Sequence, residues 1–117
     1  MQLLTKELQD RLLANARQQQ PLRGTEAELD FLPVVKLFTP DANATWLLTE
    51  LDEDGDTAFG LCDLGVGYPE LGCVSLAELA AVRGALGLPV ERDRHFTADK
   101  PLSAYAEEAA RLGHIRA

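Results

Sequence analysis

Carboxylates crowd the middle of this chain. Glu50, Asp52, Glu53, Asp54 and Asp56 fall within one short stretch, dense enough to attract a cation and to generate a long-range negative potential. Asp52, Asp54 and Asp56 stand at i, i+2 and i+4, and Asp63 lies eleven residues after Asp52, a spacing that echoes a calcium loop. The echo breaks where it matters. The glycine comes fourth instead of sixth, an aspartate replaces the bidentate glutamate, and the flanks read as strands rather than helices. A hairpin turn, with Gly55 free to take positive φ, accounts for the run better.

Three other groups could do chemistry. Glu91, Asp93 and His95 alternate with Arg92 and Arg94, so an extended backbone would put two carboxylates and an imidazole on one face. Such a set could hold a metal or act as acid and base, but in a row along one strand it surrounds no point. A charged edge segment paired to its neighbours is the plainer reading. Cys62 and Cys73 would face each other if the strands carrying them paired with Leu64 opposite Leu71. Cysteine buried in a sheet usually serves as a small hydrophobe. The glycine-rich loop from Leu64 to Gly72 carries Tyr68, either a core plug or an exposed contact aromatic of the type favoured in interfaces.

The elements that must position these groups follow from periodicity. Leu4, Leu8 and Leu12, widened by Leu13 and Ala16, predict a helix over 3–20, stopped by Pro21 and Gly24. The period then changes to that of strands, predicted at 34–38, 45–51, 57–64 and 70–74 and joined in order as an antiparallel meander. Trp46 belongs on the core face of that sheet. Ser75 and Glu78 form a capping box that opens a second helix, ended by Gly84 or Gly87. A short extended piece follows, running through Phe96. A last helix spans 101–112, with Gly113 as its stop and His114 at its C-terminal end. Strands grouped together with helices outside them define an α+β fold: a four-stranded antiparallel meander packed against about three helices, one domain over 1–117.

Composition narrows the function. The chain has 117 residues and a net charge of -8, and the excess is regional: residues 1–23 net +2, 24–82 net -11 and 83–117 net +1. A general nucleic-acid binder needs the opposite sign. No GxxxxGK[ST] loop or HExxH helix occurs, and Gly65-Val66-Gly67 is only a fragment of a dinucleotide fingerprint, so no cofactor and no metal are expected. The charged start and the lack of a long apolar run predict no export signal and no membrane span. The expected setting is a reducing cytoplasm with free thiols.

Several motifs in order carry a resemblance: Met1-Gln2-Leu3-Leu4-Thr5, Pro33-Val34-Val35-Lys36-Leu37-Phe38, Gly60-Leu61-Cys62-Asp63-Leu64-Gly65 into Pro69-Glu70-Leu71-Gly72, Val74-Ser75-Leu76-Ala77-Glu78-Leu79, and Leu88-Pro89-Val90-Glu91-Arg92-Asp93. Together they resemble an uncharacterised bacterial domain-of-unknown-function family of small acidic proteins found with plasmids, integrative elements and phage-derived islands. The resemblance implies a setting of mobile DNA, where small proteins that blunt restriction or CRISPR defence are common, and it transfers no catalytic residue. The leading expectation is a non-catalytic anti-defence factor. Its acidic face would dock on the basic, nucleic-acid-binding surface of a host protein through Glu50, Asp52, Glu53, Asp54 and Asp56, with Tyr68 and Glu70 as rim or anchor residues. The alternative is a small-ligand or metal-dependent enzyme using Glu91, Asp93 and His95.

Overall fold

The computed structural model describes residues 3–117. Its centre is a sheet of five antiparallel strands in the order β4-β3-β2-β1-β5. These are β1 (Val35–Phe38), β2 (Thr45–Leu51), β3 (Thr57–Asp63), β4 (Glu70–Ser75) and β5 (Glu91–Arg92). The first four form the expected meander. The fifth corrects the four-strand count: Glu91 and Arg92 return along β1, opposite Phe38 and Leu37. The extended run stops there, because Asp93 turns the chain and accepts the His95 N–H on its carboxylate.

Helix α1 (Lys6–Gln19) starts at Thr5, whose hydroxyl accepts the Leu8 N–H. It therefore begins later than its apolar pattern, which already includes Leu4. A single 3-10 turn, Gln20–Leu22, tightens its end against Pro21. Leu12 of α1 packs with Trp46, Leu48, Leu51, Val35 and Leu37 on one face of the sheet. Helix α2 (Leu76–Ala81) adds Leu79 to the same core. On the other face, Leu102, Tyr105 and Ala109 of α3 (Leu102–Leu112) cover Leu47 and Leu61. Burying a leucine as completely as Leu12, Leu47 or Leu48 contributes about 2 kcal/mol. β2 is thus sandwiched between helices on both sides, so its sequence reads as nearly continuous apolar residues.

Helix α2 is shorter than its sequence suggests. It ends at Ala81, before either glycine, because Val82 is already extended and Arg83 bridges to Pro89. Asp41 holds the following loop by accepting the N–H groups of Leu86 and Leu88.

One irregularity decides where side chains point. Between Leu48 and Glu50 the pairing of β2 with β3 slips, leaving Thr49 as an extra residue. Leu48 pairs with Gly60, yet Glu50 pairs with Phe59 and Leu51 with Ala58. Simple alternation would place Glu50 with Trp46 and Leu48 in the α1 core. The bulge reverses the faces, so Leu51 enters that core and Glu50 turns to the α3 side.

Candidate partner-binding surface

The β2–β3 hairpin closes through Asp52 N–H to the Thr57 carbonyl (2.8 Å) and Gly55 N–H to the Asp52 carbonyl (3.0 Å), with Gly55 at φ 72°. Its acids are largely engaged within the molecule. Asp54 accepts the N–H groups of Asp56 and Thr57 and the Thr57 hydroxyl, and these bonds hold its carboxyl below the usual range. Asp56 accepts the Ser75 hydroxyl at 2.7 Å and the Ala77 N–H at 2.9 Å, so the hairpin caps α2 across the sheet. Ser75 in turn accepts the Glu78 N–H, as its half of the capping box requires.

The remaining hairpin acids meet arginines from the N-terminal region. Glu53 takes Arg17 on both oxygens, at 2.5 and 3.0 Å, and its carboxyl is lowered by that hydrogen bonding. Arg23 donates to Glu50 at 3.0 Å and stands 4.0 Å from Asp52. Glu50 is buried; the loss of water around it pushes its carboxyl up, while Arg23 pulls the other way.

Tyr68 and Glu70 lie elsewhere. They sit at the far end of β3, whose seven residues separate them from the hairpin by roughly 20 Å. The structure therefore divides the sequence-predicted surface into two ends. At the Tyr68 end, Leu64 is 65% exposed, Val66 69%, Tyr68 79% and Leu71 51%. Tyr68 stands in solvent and is not a core plug. Glu70, also exposed, opens β4, a strand that pairs only with β3.

The other candidate groups disperse. Glu91 is exposed on the edge strand, His95 is exposed in a turn, and Asp93 lies 3.5 Å from Lys36. Among the described residues, no three His, Cys, Asp or Glu side chains gather as a metal site. The cysteines do not face each other: Cys62 pairs with Glu70 and Cys73 with Phe59. An odd offset sets their side chains on opposite faces. Burial pushes the Cys62 thiol up to about 11, away from thiolate chemistry. His114 does meet the end of α3, through Nδ1 and the Leu112 carbonyl at 3.3 Å.

Three partnerships were hidden from the sequence. Arg17 and Arg23 reach the hairpin from 27 to 36 residues away. Asp30 takes both the N–H and the hydroxyl of Ser103 at the start of α3. Asp63 is buried and accepts the N–H groups of Gly65 and Ile115, joining the C-terminal segment to β3. Nothing local marks these pairs beyond a surplus of acids with no nearby base.

The fold and surface thus define a small α+β protein with exposed apolar side chains and no assembled metal-binding cluster among its described residues. The chain belongs to the family described as Protein of unknown function (DUF2958), whose family model matches residues 3–116. No curated protein and no solved structure matches it. Among the described residues, no helix is long and apolar enough to cross a membrane.

Proposed function

We propose that the protein is a non-catalytic protein-binding factor that docks on a basic partner through the Tyr68 end of its sheet. The carrying observation is the exposure of Leu64, Val66, Tyr68 and Leu71 within eight residues of chain, beside the outer edge of β4. Burial in the fold does not explain these side chains, and grouped apolar exposure of this kind marks interaction surfaces. Glu70 supplies an acidic rim there, and the negative field of residues 24–82 speeds encounter with a cationic surface. The mobile-DNA setting implied by the resemblance supports a host defence complex as the partner, its nucleic-acid channel supplying the lysines and arginines.

The test is capture from extracts of bacteria carrying restriction or CRISPR systems, at low and high salt. A partner held at low salt, released by salt and lost with Tyr68→Ala supports the reading. Retention indifferent to salt and to both Tyr68→Ala and Glu70→Gln overturns it.

A further inference from the structure

Helix α3 covers only part of its face of the sheet. Beyond its first turn the floor continues as Phe59, Leu71 and Cys73, walled by Leu29, Phe31 and Leu102, and encloses a groove of about 350 Å³. That volume and its mainly apolar walls fall in the range of small-ligand sites. The Thr49 bulge delivers Glu50 into this groove.

The Glu50 side chain is 6% exposed. Its Oε1 accepts Arg23, while its Oε2 meets no hydrogen-bond partner among the described residues and keeps contact with the solvent of the groove. A carboxylate this far withdrawn from water gains from a matching charge, and its one guanidinium is half-exposed and shared with Asp52, which leaves the open oxygen for a second cation. The other charged side chains lining the groove are Glu28, Asp30 and Asp52, all carboxylates. An anionic ligand would meet four acids against Arg23 alone. A neutral apolar ligand would desolvate Glu50 further, and among the described residues no three of these acids converge as a metal ion requires.

We propose that this groove binds an organic monocation with a short apolar body, an alkylammonium or a guanidinium, whose charge meets Oε2 of Glu50 while its hydrocarbon lies on Phe59 and Leu71. Aromatic rings such as Phe31 and Phe59 are favourable neighbours for an organic cation. The raised carboxyl of Glu50 agrees with a site still short of positive charge. The chemistry is shared by a free amine and by an arginine or lysine side chain on another protein. The groove shares Leu71 with the partner surface at Tyr68, but its carboxylate lies toward the hairpin end of β3.

The experiment titrates the full-length protein with n-butylguanidinium and n-butylammonium, followed by NMR amide shifts, with n-butanol and magnesium as controls. Saturable shifts at Phe59, Leu71 and Leu102 are expected from either organic cation and from neither control. Glu50→Gln, which keeps the shape, should weaken binding at least tenfold. Leu71→Arg, at an exposed position on the groove, should block it without disturbing the core, so the outcome does not depend on one variant folding. A short capped peptide with an internal arginine distinguishes the source. Binding tighter than n-butylguanidinium assigns a protein-borne side chain, and binding of the small cations alone assigns a free amine or guanidine. Absence of saturable binding by all three cations, or affinity unchanged in Glu50→Gln and Leu71→Arg, overturns the site. Glu50→Gln touches only the groove and Tyr68→Ala only the partner surface, so cation binding and capture can each fail while the other stands.

Discussion

The two ends of β3 present opposite solutions to surface design. At the hairpin end the side chains are charged and mostly committed: Asp54 shapes the turn, Asp56 caps α2, Glu53 takes Arg17 on both oxygens, and Glu50 meets Arg23 through one. At the loop end they are apolar, and Leu64, Val66 and Tyr68 stand in solvent. Formal charge is therefore a poor guide to which surface is free for a partner. A carboxylate already filled by backbone N–H groups has less left to offer an incoming lysine than its charge suggests. The exposed end costs little to change and the engaged end costs much, which is the contrast that mutation can test.

The largest effect is expected in the strand joining the two ends. A Cβ at Gly60 would lie 1.9 Å from the Leu47 carbonyl oxygen and 2.8 Å from the Leu48 Cα, and backbone cannot yield there without losing the sheet. Gly60→Ala should cost about 3 kcal/mol in urea unfolding. Asp56→Ala comes next at about 2 kcal/mol, with faster hydrogen exchange confined to α2. Equal protection of α2 in that variant would show that the hairpin does not hold the helix.

Acid and base titrations sharpen the comparison inside the hairpin itself. Glu50 has a raised carboxyl pKa in the folded state, so its contribution is greatest when protonated and declines as pH rises from about 4.5 through the folded value. Glu53 and Asp54 are lowered, so their contributions are present at neutral pH and are lost as pH falls through their folded values. Glu50→Gln should flatten the decline above pH 4.5, whereas Asp54→Asn should flatten the acid limb, both read from urea midpoints across pH. The smallest change in stability belongs to Tyr68→Ala, within about 0.5 kcal/mol of the parent, although partner capture should disappear. A large loss of stability there would mean that the ring is structural after all.

Most of the architecture was legible because local signals and packing agree. The apolar stripe of α1, the bounds of β2, the Ser75 cap and the Gly113 stop all rest on neighbours in sequence. What escaped depends on register and distance. The cysteine alignment needed Leu64 opposite Leu71, but Leu71 pairs with Leu61, and both choices set leucine against leucine. β3 ends at Asp63, which turns to bind Gly65 and Ile115. Glu50 looked like one more solvated acid because nothing in Thr-Trp-Leu-Leu-Thr-Glu-Leu announces a bulge. β5 is only two residues long, too short for any periodicity.

The extra residue at Thr49 also sets a rule for length variation. Deleting it would join Leu48 directly to Glu50 and turn the bulge into regular pairing, with Glu50 still opposite Phe59 and Leu51 still opposite Ala58. Leu51 would keep its place beside Leu12. The loss of one residue should therefore be tolerated at this position sooner than elsewhere in the strand, where it would set apolar side chains against the wrong face.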